Sequence, residues 1–256
     1  MKNKIHAHVP YERLAEHLEY AIANGVNPEV FFSAEALDTI VWEELSSLSG
    51  ALHAAGLKTT IHAPFLDLNP GALDPSIRAA SRHRIQQVML AAELLRPLAI
   101  VVHPGYDDIR YGGNRLLWLK NSIDFWQEFV LRAKELGTIL ALENIFEKEP
   151  STIKALLDAI DDPCFRHCFD VGHWNMFTTV TIEEWFSELG EYIAECHIHD
   201  NHGYSDEHLP VGEGAINFKK FFPLLKQHAP DAIWTIEAHS TEHLKIALKN
   251  IQHYIS

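Results

Sequence analysis

The chain has 256 residues, 47% of them hydrophobic and 22% charged, which suits one globular domain of barrel size. Nothing approaches the roughly 18 consecutive apolar residues of a membrane span, so no membrane partner is expected. Acidic side chains exceed basic ones by 14, which disfavours broad attraction to nucleic acid without excluding a local basic patch.

Short strand-like runs alternate with amphipathic helical stretches along the whole chain. Lys4–Val9 reads as a first strand, followed by an amphipathic helix over Glu12–Asn24 that Gly25 closes. Val30–Phe32 is a second strand, Leu37–Ala55 a helix ending at Gly56, and Thr59–Phe65 a third strand. Asp74-Pro75 starts a helix whose buried stripe is Ile85, Val88, Met89, Ala92 and Leu95, and Pro97 ends the pattern. Leu98–His103 supplies strand four, and a helix over Arg115–Leu136 closes at Gly137. Strand five is Thr138–Asn144, then a helix over Thr152–Ala159 behind Ser151. The sixth strand reads Phe165–His173, and Thr181 with Glu184 forms a capping box for the helix after it. Ile193–Asp200 is strand seven, followed by a polar loop, Asn201–Gly214, and a short helix near Lys219–His228. Ala232–His239 is the eighth strand, and Glu242–Tyr254 a final amphipathic helix. Eight strands, each followed by helix and with no linker between them, predict an α/β fold in one domain over 1–256: a closed parallel (β/α)8 barrel.

Cys164, Cys168 and Cys196 do not make a disulfide framework, and Cys164 and Cys168 read as small core fillers. The start lacks an apolar leader, and with so few cysteines a cytoplasmic setting is expected.

The 17 histidines acquire meaning only when placed on these strands. His62, His103, Glu143, Asp170 with His173, and Glu237 stand at strand ends; His197 lies in strand seven, with Asp206 and His208 in the loop after it. In a parallel barrel these ends meet around one rim. Singly, each residue has an ordinary reading: a rim histidine bonded locally, Glu143 paired with Arg166 or Arg132, Asp206 and His208 in a solvated loop. Together, four carboxylates beside five imidazoles call for cations, because buried charge needs partners. Glu143, Asp170, His197 and Glu237 form an oxygen-rich set suited to Mn²⁺, Mg²⁺, Co²⁺ or Zn²⁺. His62 and His103 would complete a neighbouring site if Glu143 bridges, and His173, Asp206 and His208 form a mixed triad that zinc accepts. The set predicts divalent ions, zinc or manganese, at about one to three per chain. His199 shares the face of His197 and is placed outside the metal set, as a neighbour of the ligands or a substrate contact. Either His6 or His8 can reach the bowl, while His167, His202 and His239 are expected to be satisfied locally. Phe65, Trp174 and Trp234 are candidate apolar walls for a ligand.

IHAPFLDLN (Ile61–Asn69), VVHPG (Val101–Gly105), LEN (Leu142–Asn144), DVGHWN (Asp170–Asn175), HIHDNHGYSDEHLPVGEG (His197–Gly214) and TIEAH (Thr235–His239) resemble the xylose-isomerase-like TIM-barrel superfamily. That superfamily includes the endonuclease IV group (AP endonuclease family 2) and the sugar or sugar-phosphate isomerases and epimerases. Resemblance to endonuclease IV implies zinc ligation by all nine residues, His62, His103, Glu143, Asp170, His173, His197, Asp206, His208 and Glu237, and phosphodiester cleavage at abasic DNA. Resemblance to the isomerases implies one metal on Glu143, Asp170, His197 and Glu237, with Glu143 and Glu237 moving protons at substrate carbons. The loop wording DEHLPVGEG is closer to the sugar-isomerase-like members. Phe65 stands where endonuclease IV has tyrosine, and Arg78, Arg110 and Arg115 suffice for one phosphate group but not for a duplex surface. The expected function is therefore a metal-dependent isomerase or epimerase of a sugar or sugar phosphate, ahead of a zinc phosphoester hydrolase. A homodimer is compatible with the sequence.

Overall fold

Eight strands pair in sequence order and the ring closes where β1 meets β8, every pairing parallel. The computed structural model describes residues 5–255, so Lys4 of the expected first strand lies outside the described residues. The strands are β1 (Ile5–Pro10), β2 (Asn27–Phe31), β3 (Thr60–His62), β4 (Ala99–Val102), β5 (Ile139–Glu143), β6 (Phe165–Asp170), β7 (Ile193–Ile198) and β8 (Ile233–Ile236). Around them run α1 (Tyr11–Asn24), α2 (Ala34–Asp38), α3 (Trp42–Ala54), α4 (Pro75–Leu95), α5 (Arg115–Leu136), α6 (Ser151–Ile160), α7 (Val171–Phe177), α8 (Ile182–Leu189), α9 (Phe218–His228) and α10 (Thr241–Ile255).

Local chemistry sets most of these boundaries. Gly25 and Gly137 close α1 and α5 in the left-handed region, at φ 64° and 69°, where a Cβ would be strained. The Asp74 side chain accepts from Ser76 N–H ahead of Pro75, and Thr181 and Glu184 complete the capping box of α8. Two expectations are corrected. The helix expected over Leu37–Ala55 is two helices, because the Tyr11 hydroxyl accepts from Val41 N–H at 3.2 Å and donates to Val41 C=O at 3.4 Å, holding that residue extended. Strand six stops at Asp170 rather than His173. The Asp170 carboxylate accepts from His173 N–H at 2.6 Å and so caps α7 instead of continuing the sheet.

Strand parity then divides the side chains. Outward residues pack against helices in an aromatic-rich layer that fully buries Trp118, Trp126, Trp185, Phe169 and Phe221. Inside the barrel, Val101, Ala141 and Cys168 from β4–β6 form a small apolar plug. The opposite half of the interior is polar, with His6, Glu29, Thr60, Glu195 and Thr235 all buried. Two residues further along several strands, the same inward parity presents His8, His62, His103, Glu143, Asp170, His197 and Glu237 at one end.

Candidate metal centre

Glu143 is the hub. Its Oε2 lies 3.2 Å from His62 Nε2 and 2.9 Å from His103 Nε2, and its Oε1 lies 3.3 Å from both His173 Nδ1 and His197 Nδ1. Neither Arg166 nor Arg132 pairs with it; Arg132 bonds Glu93 and Glu135 on the surface. Asp170 and Glu237 complete the inner group, their carboxylate oxygens 3.8 and 3.3 Å from His197 Nδ1. Asn144 positions Asp170 by a two-point clasp, donating to its carbonyl and accepting from its N–H at 2.9 Å each.

The loop after β7 adds the outer group. His208 Nε2 is 2.9 Å from the Asp206 carboxylate, which also lies 3.5 Å from His173 Nε2, and His208 Nδ1 is 3.6 Å from Glu237. All nine residues of the expected set thus reach one bowl. His199, placed outside that set by the sequence reading, sits within it: its Nε2 is 3.2 Å from Asp170 and 3.8 Å from Glu237, and its ring stacks on His208 at 4.1 Å. Gly172 makes room for it, since a Cβ there would lie 2.0 Å from His199 Cε1.

The sequence reading missed Glu29 and Asp200. Glu29 is fully buried on β2, with Oε2 3.1 Å from His197 Nε2 and Oε1 3.0 Å from His8 Nδ1. It stands beside the residues read as strand two, and its inward parity was the available signal. Asp200 accepts four backbone N–H groups, from Asn201, Gly212, Gly214 and Ile216, at 2.8–3.1 Å. That one carboxylate folds the loop carrying Asp206 and His208. His208 itself has left-handed backbone at φ 49°.

Among the expected walls, Phe65 stacks on His103 at 4.2 Å and borders the bowl, and Trp174 is half-buried on α7. Trp234 is corrected: it faces away from the bowl and packs on Phe222 at 5.2 Å in the outer layer. His167 and His202 are satisfied locally, as expected, by Leu142 C=O with Trp185 and by Glu207. His239 stacks on His208 at 4.5 Å. Arg78 bonds the Ala72 and Leu73 carbonyls, Arg110 pairs with Asp107 and Arg115 bonds Ser151. An apolar cavity of about 390 Å³ between β1, α1 and α10 meets the rim at His8, Phe31 and His239.

Burial alone would raise the carboxyl pKa values, yet His197 and His103 hold Glu143 well below the ordinary range. Against the same burial, His173 and His199 lower Asp170, and His197 and His208 lower Glu237. Burial likewise opposes charge on the imidazoles, but Asp170 and Asp206 raise His173 well above its usual value, and Glu29 and Glu237 do so for His197. His208 is pushed up to about 9 by Asp206 and Glu237 against its burial. Below the bowl, burial and Glu29 raise Glu195 well above the carboxylate range. Protons and a divalent cation therefore compete for one set of sites.

The donors fit such a cation. Buried Nδ1 atoms of His197 and His199 have no hydrogen-bond partner, and His62–Glu143–His197, Glu143–Asp170–His173 and His199–His208–Glu237 each bring three ligand atoms within 4.8 Å of one another. The mixed nitrogen and oxygen set suits Zn²⁺, Mn²⁺ or Co²⁺.

The closed parallel barrel thus gathers these candidate metal ligands at the C-terminal ends of its strands, the rim where barrels of this kind carry their sites. Residues 12–255 match the model of the xylose-isomerase-like TIM-barrel family, and the chain belongs to that family. Two uncharacterized proteins of Methanocaldococcus jannaschii are similar: MJ1311, 31% identical across 71% of this chain and 64% of its own length, and MJ1614, 30% identical across 77% of each. The chain thus spans a little under two thirds of the first relative. A solved D-tagatose 3-epimerase-like protein is 25% identical with TM-score 0.81, covering 98% of this chain and 97% of that one. The TTHB071 protein from Thermus thermophilus, soaked with ZnCl2, is 23% identical with TM-score 0.82 over the same shares. A 3-keto-D-glucoside 4-epimerase from E. coli is 15% identical with TM-score 0.76, covering 98% of each chain. At these lower identities the last two share the fold. No helix among the described residues is long and apolar enough to cross a membrane.

Proposed function

We propose that this protein is a divalent-metal-dependent isomerase or epimerase acting on a small sugar or sugar phosphate. The observation that carries the reading is the inner group: Glu143 at the end of β5 and Glu237 just after β8 both lie 3.3 Å from the unpartnered His197 Nδ1, with Asp170 at 3.8 Å. Glu143, Asp170, His197 and Glu237 would hold the cation. When bound, it would supply Lewis-acid polarisation of adjacent carbonyl and hydroxyl oxygens, acidifying the C–H of the hydroxyl-bearing carbon beside the carbonyl. Glu143 and Glu237 then flank the substrate as base and acid, one removing the carbon-bound proton and the other returning it. Their imidazole neighbours hold both ionised in the free protein, so the one acting as acid must first take up a proton from solvent before it returns one to carbon. Phe65, Trp174 and His199 border the space a sugar would occupy. The similarity to a D-tagatose 3-epimerase-like protein supports the substrate class.

The decisive experiment incubates protein loaded with Mn²⁺, Co²⁺ or Zn²⁺ with a panel of ketoses, aldoses and their phosphates in D₂O. Incorporation of one carbon-bound deuterium with at least one substrate is expected; none with any member of a broad panel refutes the isomerase assignment. One observation favours a second reading, phosphoester hydrolysis by two or three zinc ions. His62, His103, His173, Asp206 and His208 make a surplus of ligands around a single ion, and Glu143 stands between groups that could bind two. Cleavage of small phosphodiesters without deuterium exchange would put that reading first.

A further inference from the structure

Glu29 lies on β2 and His197 on β7, which are not neighbours in the ring, so their contact crosses the barrel interior. A fully buried carboxylate is retained only where its oxygens are paired. Here Oε2 meets His197 Nε2 at 3.1 Å, and Oε1 meets His8 Nδ1 at 3.0 Å. An ionised carboxylate can only accept, so Nε2 of His197 must carry the hydrogen. The other ring nitrogen, Nδ1, is buried without a hydrogen-bond partner and faces Glu143, Glu237 and Asp170. Turning the ring over would put carbon toward those carboxylates and take the imidazole N–H away from Glu29 Oε2, leaving His8 as partner of Oε1 alone.

From this we propose that Glu29 is a positioning residue for metal binding. It fixes the Nε2–H edge of His197 and thereby presents the Nδ1 lone pair to the cation. The inference rests on reading the bowl as a divalent-metal site. His8 shares the clamp, tying β1 to the same carboxylate, and its Nδ1 also lies 3.5 Å from Glu237. Partners that orient a ligating histidine in this way typically contribute about 10- to 100-fold in metal affinity.

The test compares wild type with Glu29→Leu and Glu29→Gln. Leucine keeps much of the volume and removes both acceptors. Glutamine keeps one acceptor oxygen for His197, and its amide can face His8. Zinc and cobalt affinities are measured by competition against a chromophoric chelator, with ions per chain from elemental analysis and Tm of the chelator-treated protein as the folding control. Glu29→Leu is expected to bind about 10- to 100-fold more weakly at unchanged ions per chain, with Glu29→Gln recovering most of the loss. In zinc-loaded protein labelled with ¹⁵N-histidine, His197 should carry its proton on Nε2 in wild type and in Glu29→Gln, a readout that holds even if the leucine variant does not fold. Wild-type affinity in Glu29→Leu overturns the inference. So does loss of a whole ion, which would make Glu29 a ligand, or a His197 proton found on Nδ1. Deuterium exchange separates this from the function itself. Weakened metal binding with no exchange on any sugar leaves the positioning role standing and removes the isomerase reading, whereas exchange with unaltered affinity does the reverse.

Discussion

Replacing Asp200 by asparagine changes one group in a fully buried side chain, and the geometry sets the consequence. Oδ1 accepts from Asn201 N–H at 2.9 Å and Ile216 N–H at 3.1 Å; Oδ2 accepts from Gly212 at 3.0 Å and Gly214 at 2.8 Å. An amide offers one acceptor oxygen and one NH₂, so in either orientation two backbone donors face another donor. Two hydrogen bonds to a charged acceptor are lost at about 1.5–3 kcal/mol each, or about 3–6 kcal/mol if the loop stays closed. The loop can instead open by itself, which limits the loss to its own opening free energy. Urea denaturation reads the first outcome. Hydrogen exchange reads the second, as lost protection at Gly212, Gly214 and Ile216 while β3–β5 keep theirs. In the second case Asp206 and His208 are released from the bowl, and any ion they hold should bind more weakly. A stability change under about 1 kcal/mol with unaltered protection at those amides would refute the assignment of Asp200 as the anchor of this loop.

Glu143→Gln and Glu237→Gln should each lower solvent-deuterium exchange by at least about 100-fold while leaving the circular dichroism spectrum intact, since the proton carrier goes and the volume stays; unchanged exchange in both removes their proposed role. Gly172→Ala should cost about 1–3 kcal/mol in thermal or urea unfolding and displace His199, because the added methyl meets its ring at 2.0 Å; wild-type stability and a wild-type His199 NMR signal would contradict this. In chelator-treated protein His208 should titrate near 9, above its ordinary 6.5, so its stabilising contribution is complete below about pH 6.5 and fades as pH rises through about 9. Asp206→Asn should bring that value down, and an NMR titration of His208 at or below 6.5 in wild type would count against the pairing. Binding to intact duplex DNA at physiological salt should be weak, given the net charge of −14; nanomolar binding with incision at an abasic site would favour the hydrolase reading.

Strand and helix alternation is written in the chain by local chemistry: short apolar runs, glycine at helix ends, the Asp74-Pro75 start and the Thr181–Glu184 box each act within a few residues. Once eight parallel strands are granted, parity alone sends His62, Glu143, Asp170 and His197 to one rim, which is why most of the bowl was legible. Long-range contacts decided the rest. The break at Val41 is fixed by a tyrosine hydroxyl 30 residues away, and the β-branched run Thr39-Ile40-Val41 is its local sign. His199 reads as a neighbour of ligands until the approach of α7, permitted only by Gly172, brings its ring between Asp170 and His208. Asp200 reads as the end of a strand, and its role appears only when four backbone N–H groups of a folded loop converge on it. Glu29 lies 168 residues from His197 and meets it only across the barrel interior. Local sequence fixes where a side chain points; which partner waits there is settled by closure of the barrel, because burial makes each of these polar groups find one.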